Sequence, residues 1–193
     1  TSSTADSVTL DLLGVLVQPD DVVACEITAS DLDGGSASTT ETVTIINSPP
    51  SFLSEASISP AILIYTGTEL TCSATVIDLD DGSLTPTYVW TNNGVQLGTG
   101  TTYSISSSET DVGASITCTA TGTDADLEVI TSSASVSIDN TDPTASNVQI
   151  SSVSGFLYND ETLTCTATTG DIDETPTVSY TWSSNSIDLA DTQ

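Results

Sequence analysis

The sequence predicts an all-β protein built from repeats of about 93 residues. Short apolar runs alternate with Ser and Thr, and turn-forming clusters interrupt them about every ten residues, which is typical of β-strands rather than helices. In the segment SASVSID, Ala134, Val136 and Ile138 fall on one face of a strand and the polar residues fall on the other. The recurrence of whole phrases at a fixed offset predicts the repeat.

Two phrases occur twice, and both pairs have an offset of 93 residues: ELTCSATVIDLDD returns as TLTCTATTGDIDE, and ACEITASDLDGG returns as TCTATGTDADLE. The offset also persists into the strand-like runs that follow, where Val43 matches Val136. The residues matched within the phrases are Cys72 with Cys165, Cys25 with Cys118, Asp78 with Asp171, Asp80 with Asp173, Asp31 with Asp124, and Asp33 with Asp126. A period of this length is too long for a solenoid unit and fits one small domain per repeat.

The phase of the repeat predicts three segments of unequal completeness. If Pro49-Pro50 and Asp142-Pro143 are equivalent linkers, residues 1–48 are the C-terminal half of one domain and residues 49–140 are a complete domain. Residues 141–193 are then the N-terminal half of a third domain. Neither half is expected to bury enough apolar surface to be stable alone. We therefore expect each half to be completed by continuing chain or by the next copy, end to end, and both routes produce a filament.

Residues of the central segment, 49–140, resemble a known family. Cys72, Trp90 and Cys118 follow the Cys, Trp, Cys order of immunoglobulin-like sandwiches, in which the Trp packs on a disulfide between strands B and F. The phrases LTC.AT..D.D and DVG..ITCT also resemble the tandem immunoglobulin-like repeats, cadherin-like or PKD-like, of large bacterial extracellular surface proteins. Ile116 departs from the animal pattern, which has Tyr two residues before the second Cys. The resemblance implies tandem immunoglobulin-like β-sandwich domains.

The resemblance also implies the pairing of the cysteines. Cys72 is expected to bridge Cys118, and the repeat then pairs Cys165 with Cys25 of the next unit. Free buried thiols are the alternative. Disulfides persist in oxidising compartments, so we predict an extracellular or cell-surface location.

The charge of the chain excludes many functions. It has no Lys, Arg or His and 27 Asp plus Glu, for a formal net charge of −27. A Schiff base, an imidazole base and a His-ligated metal are therefore excluded, and neither nucleic acid nor an anionic membrane would find a basic face. A pair of carboxylates acting on a glycoside is the one enzymatic possibility. The acidic residues lie mostly in turns rather than in an apolar pocket, so we predict that the chain is not an enzyme.

Acidic loops are expected to meet at the domain junctions. In an immunoglobulin-like order, the loops after strands B and F lie at the end of the sandwich that faces the preceding domain. In the central domain these loops carry Asp78, Asp80, Asp81, Asp124, Asp126 and Glu128. The next junction groups Asp139, Asn140 and Asp142 with Asp171, Asp173 and Glu174. Alternating carboxylates suit Ca²⁺, which is the predicted cofactor, and the alternative is a set of solvated turns that discourage edge-to-edge pairing.

These observations predict a mechanical function. We expect a structural repeat unit of a microbial extracellular filament, stalk or surface fibre, whose partners are further copies of itself. The alternative is a Ca²⁺-dependent adhesin module that binds a glycan or a partner cell. Adhesive loops should differ between copies, whereas the loops at Asp31 and Asp124, and at Asp78 and Asp171, keep their aspartates, which favours the spacer.

Overall fold

The computed structural model describes residues 7–12 and 15–189, and within these ranges the chain forms strands and no helix. The all-β prediction is confirmed. The predicted half-domains also include residues 1–6, 13–14 and 190–193, which lie outside the described residues. In the described part of the chain no helix has the length and apolar character needed to cross a membrane.

The strands follow the alternating apolar runs of the sequence. In chain order they are β1 (Val22–Ser30), β2 (Ser36–Thr44), β3 (Ser51–Ser59), β4 (Glu69–Asp78), β5 (Gly82–Leu84), β6 (Thr87–Asn92), β7 (Val95–Thr99), β8 (Thr102–Ser104), β9 (Ser115–Thr123), β10 (Val129–Ser137), β11 (Thr144–Ser152), β12 (Leu163–Gly170), β13 (Trp182–Ser184) and β14 (Ile187–Leu189).

The strands of the central segment form two four-stranded sheets. One has the order β10-β9-β6-β7, and the other has the order β3-β4-β5 with β8 also paired to β4. The flanking segments contribute two-stranded sheets, β1-β2 before the central segment and β11-β12 and β13-β14 after it. Several sheets without helices are consistent with a β-sandwich, whereas the boundaries of the predicted domains stay a prediction.

Strand limits repeat with the offset found in the sequence. β9 begins and ends 93 residues after β1, and the same is true of β10 relative to β2 and of β11 relative to β3. The β1-β2 hairpin is antiparallel, with Val23 opposite Val43 and Ile27 opposite Thr39. These three pairs of strands therefore have the same limits at both occurrences, whereas β12 begins one residue later and ends one residue earlier than β4 shifted by 93 residues.

Contacts divide the chain into two compact units. The first contains Thr1–Glu55, Ala74–Thr87 and Ala120–Ser132, and the second contains Ala56–Ser73, Tyr88–Thr119 and Ser133–Gln193. In the first unit Val76 and Ala120 are fully buried, and Asp78 and Asp124 are buried as well. The apolar core of the second unit includes Ile64, Leu70, Trp90, Ile105, Ile116 and the Cys72–Cys118 disulfide.

Gly122 of β9 sits against the core of the first unit. A Cβ atom at this position would lie 2.6 Å from Val76 Cγ1 and 3.0 Å from Val76 Cγ2, closer than packed atoms approach. We expect Gly122→Ala to lower the free energy of unfolding by about 1–3 kcal/mol, because the buried strands must separate to admit the methyl group. At Gly98 the nearest heavy atom would be 3.8 Å away, so Gly98→Ala is the matched control. Urea unfolding followed by circular dichroism measures both, and equal stabilities would contradict the prediction.

Candidate functional site

The candidate site lies in the first unit, where the chain enters β3 and where the loops after β4 and β9 carry aspartates. We call it the central junction and define it by Asn47, Ser48, Asp78, Asp80, Asp81 and Asp124. Its four aspartates are among the residues that the sequence predicts as Ca²⁺ ligands. Asn47 and Ser48 are not among them, although Asn47 recurs as Asn140 at the repeat offset of 93 residues.

The loop after β4 is held by its first aspartate. Asp78 Oδ1 accepts hydrogen bonds from the backbone N–H groups of Asp80, at 2.7 Å, and of Asp81, at 3.0 Å. This is the Asx turn by which aspartate replaces a backbone acceptor in tight loops. The other carboxylate oxygen, Asp78 Oδ2, is buried and has no hydrogen-bond partner among the described residues.

The loop after β9 is held in a similar way and is tied to its neighbours. Asp124 Oδ1 accepts the N–H of Glu128 at 2.7 Å, and Asp124 Oδ2 accepts Asn47 Nδ2 at 3.0 Å. Asp81 Oδ2 in turn accepts the N–H of Ala125 at 2.7 Å, which joins the two loops. Hydrogen bonds to ionised acceptors are roughly twice as strong as neutral ones, so these contacts fix the loops firmly.

The segment that precedes β3 is bound by the same cluster. Asp80 Oδ2 accepts the backbone N–H of Ser48 at 2.7 Å, so that carboxylates hold both residues of the Asn47-Ser48 pair. All the donors in this cluster are neutral amides, because the chain has no cationic side chain to supply. The arrangement joins a linker to two loops without an ion pair.

The surroundings of Asp126 disfavour the ionised form of its carboxyl group. Partial desolvation, together with the negative charges of Asp124, Asp20, Asp81 and Asp80, raises the pKa of its carboxyl group above the ordinary value. Asp126 and Glu128 are exposed. Like charges at this end of the unit therefore oppose one another.

The second junction, in the second unit, has the same construction. Asp173 Oδ2 accepts the N–H of Thr141 at 2.7 Å and also the Thr141 hydroxyl, and Asp171 Oδ1 accepts the N–H of Asp173 at 2.8 Å. These are the contacts of Ser48, Asp80 and Asp78 displaced by 93 residues. Hydrogen bonds from the side chain of Thr141, and then from that of Thr66, lower the pKa of the Asp173 carboxyl group. Its stabilising contribution is therefore present at neutral pH and is lost as the pH falls through the lowered pKa.

Two predicted ligands of the second junction occupy other surroundings. Asp139 pairs with Ile64, donating its N–H to the Ile64 carbonyl at 2.6 Å and accepting the Ile64 N–H on Oδ2 at 3.1 Å. Asp142 is exposed and lines a shallow hollow with Asp171 and Thr144. Asp173 Oδ1 is buried and has no hydrogen-bond partner among the described residues.

The sequence predicts that the acidic residues bind Ca²⁺, and the described side chains fit a Ca²⁺ site only in part. No three or more of the described His, Cys, Asp and Glu side chains are grouped so that they could hold a metal ion. Most of the junction carboxylates instead accept backbone or amide N–H groups, although Asp78 Oδ2 and Asn47 Oδ1 are buried oxygen atoms without such partners. Binding of Ca²⁺ stays a prediction.

Replacing Asp126 tests the electrostatics of the junction and its use of Ca²⁺ together. Without Ca²⁺, Asp126→Asn is expected to raise stability at neutral pH, because a carboxyl group with a raised pKa destabilises the fold once it is ionised. The gain should vanish in acid, where the group is protonated in both states. Thermal unfolding across pH measures it, with Asp33→Asn at the same repeat position as the control. A loss of stability at neutral pH would contradict this account, and a loss of Ca²⁺-dependent stabilisation would identify Asp126 as a ligand.

The four cysteines fall into two states. Cys72 of β4 and Cys118 of β9 form a disulfide, with their Cα atoms 6.4 Å apart, and this is the pairing that the resemblance implies. Cys25 is a free, exposed thiol, and Cys165 is free and partly exposed. Cys25 lies on β1 beside Ile27 in a hollow of about 400 Å³.

Comparison with protein-family models, with curated proteins and with solved structures gave no match to this chain.

Proposed function

We propose that this chain is a structural repeat unit of an extracellular microbial filament or surface fibre, in which copies join end to end. Each junction between copies completes one immunoglobulin-like sandwich from two halves, the segment 141–193 of one copy and the segment 1–48 of the next. The function is mechanical, since the chain acts as a spacer whose domains alternate with short linkers. Catalysis has no part in it.

The observation that carries the proposal is a difference in burial between residues at the same repeat position. Val136 is 9 % exposed in β10, whereas Val43 of β2 is 61 % exposed. Leu70 is fully buried in β4, whereas Leu163 of β12 is 40 % exposed. The flanking segments thus present to water the apolar positions that the central segment buries, and such surfaces are typical of an interface. The matching half of a further copy carries the complementary strands.

The free cysteines support the same arrangement. Cys165 occupies the repeat position of Cys72, and Cys25 occupies that of Cys118. Because Cys72 and Cys118 are bonded in the central segment, a completed sandwich would bring Cys165 next to Cys25 of the following copy. The disulfide is consistent with an oxidising, extracellular compartment. The shared loop construction of the two junctions supports a spacer over an adhesin.

Two single-cysteine variants test the assembly. The Cys25→Ser chain keeps only Cys165 as a free thiol, and the Cys165→Ser chain keeps only Cys25. Mixed under mild oxidation, they are expected to give one covalent heterodimer joined between Cys165 and Cys25, while the parent chain gives a ladder of longer species. Non-reducing electrophoresis and mass mapping of the linked peptides measure the products.

The separate variants provide the control, because the disulfide-linked products that each can form alone are limited to symmetric dimers. We expect such dimers to be minor, since two identical halves cannot complete a sandwich. Mixtures that remain monomeric, or that give symmetric dimers as readily as the heterodimer, would contradict the proposal.

A further inference from the structure

We infer that Asn140 of one copy donates a hydrogen bond to Asp31 of the next copy, and that this bond closes the junction between copies. The inference rests on the proposed end-to-end assembly and adds a polar contact that sets its register. Its partner is a second copy of this chain.

The central junction provides the template for this contact. There, Asn47 Nδ2 donates to Asp124 Oδ2 at 3.0 Å and so connects the linker to the loop after β9. At the repeat offset of 93 residues, Asn47 corresponds to Asn140 and Asp124 corresponds to Asp31. In a sandwich completed by two copies, these two residues take the positions of Asn47 and Asp124.

The loop that carries the acceptor, Asp31, has the same internal hydrogen bonds as the loop that carries Asp124. Asp31 Oδ1 accepts the N–H of Gly35 at 2.7 Å, which is the bond that Asp124 Oδ1 makes to Glu128 at the same distance. The Asp31 N–H donates to the Gly35 carbonyl at 2.9 Å, as the Asp124 N–H does to Glu128 at 3.1 Å. Asp31 is exposed, and its Oδ2 accepts no hydrogen bond from the described residues. Asp31 Oδ2 is therefore available at the repeat position where Asp124 Oδ2 accepts the hydrogen bond from Asn47.

The donor is positioned in the same way. Thr141, which follows Asn140, is held through its N–H by Asp173 at 2.7 Å, as Ser48 is held by Asp80. Asn140 Nδ2 donates to the Thr141 carbonyl at 2.9 Å, and a side-chain amide has a second N–H for another acceptor. The residue is exposed. The linker thus presents an amide donor at the junction before the second copy arrives.

The charge of the chain makes an amide the suitable donor. Two copies with a net charge of −27 each meet through acidic loops, and neither has a Lys, Arg or His to place between them. A neutral Asn lets the carboxylate of Asp31 keep a hydrogen bond as water leaves the interface. A carboxylate in place of Asn140 would add a further negative charge at the same point.

An exchange of the two side chains tests the contact. In the mixed assay the Cys25→Ser chain supplies Asn140, and the Cys165→Ser chain supplies Asp31. The quantity measured is the protein concentration that gives half-maximal Cys165–Cys25 cross-linking. Asn140→Asp in the first chain is expected to raise this concentration about tenfold or more, because a charged hydrogen bond is replaced by repulsion. Asp31→Asn in the second chain should also raise it about tenfold. When the two variants are combined, a carboxylate at position 140 again lies opposite an amide at position 31, and most of the cross-linking should be restored.

Asn159→Asp is the matched control. It adds the same charge to the same segment in the exposed loop between β11 and β12, and we expect it to change the concentration by less than about threefold. Circular dichroism of each variant checks that the strands are retained. Unchanged cross-linking in both single variants, or a combined pair no better than the singles, would overturn the contact while leaving the assembly intact. If the parent pair does not cross-link, the assembly itself is overturned, and the contact with it.

Discussion

Replacing Trp90 with Ala is expected to lower the free energy of unfolding of the central segment by about 3–5 kcal/mol. The Trp90 side chain is fully buried, its ring centre lies 5.9 Å from that of Tyr103, and its Nε1 donates to the Gly100 carbonyl at 2.9 Å. Removing it opens a large cavity and leaves the carbonyl without this donor. Since small domains have only about 5–15 kcal/mol of stability, the loss would leave the segment close to unfolding.

Trp182→Ala is the matched control for this result. Trp182 lies in the short strand β13, where it is partly exposed rather than buried. We therefore expect a small change in the stability of the separate chain and a loss of Cys165–Cys25 cross-linking in the mixed assay. Urea unfolding followed by circular dichroism measures the first effect. Similar destabilisation by the two substitutions would contradict the assignment of Trp90 as the core of the central segment.

The strands could be predicted because their pattern is local. Alternate residues of β4 and β9 are buried, so the two-residue period read from the sequence is the pattern that the sheets require. The strand limits of β9, β10 and β11 recur 93 residues after those of β1, β2 and β3, which is consistent with the repeat read from the sequence, whereas β12 is two residues shorter than β4. Neither inference needed to know which distant residues come together.

The partners of the acidic side chains could not be predicted in this way. The spacing of Asp78, Asp80 and Asp81 fits a cation, but it fits an Asx turn equally well, and the choice depends on where the linker passes. In the structure, Asp80 reaches the Ser48 N–H, which is 32 residues away in sequence. Asp139 illustrates the same limit, since its bonds to Ile64 depend on the path of a loop 75 residues earlier.

Asn47 was missed because a single amide in a polar linker is an ordinary feature. Its recurrence as Asn140 was available in the sequence, yet recurrence alone does not say which acceptor it serves. The hydrogen bond to Asp124 supplies that information and makes the second occurrence interpretable. A contact seen once in the central segment thus becomes an expectation for the junction between copies.

Removing the Cys72–Cys118 disulfide is expected to lower the stability of the central segment by about 4 kcal/mol. The two cysteines are separated by 46 residues in the sequence, and a cross-link that closes a loop of this length reduces the entropy of the unfolded chain by about that amount. The bond joins β4 of one four-stranded sheet to β9 of the other, so it also restrains the two sheets directly. Cys72→Ala combined with Cys118→Ala should therefore shift the urea midpoint strongly downward.

The control pair, Cys25→Ala with Cys165→Ala, removes the two free thiols and should leave the midpoint of the separate chain unchanged. The same pair should abolish the covalent ladder that the parent chain is expected to form under oxidation. The two double variants thus separate the stability of one segment from the proposed linkage between copies, because one removes the Cys72–Cys118 disulfide and the other removes the two free thiols. A ladder that persists without Cys25 and Cys165, or a midpoint that falls equally in both variants, would mean that the cysteines are not divided between these two roles.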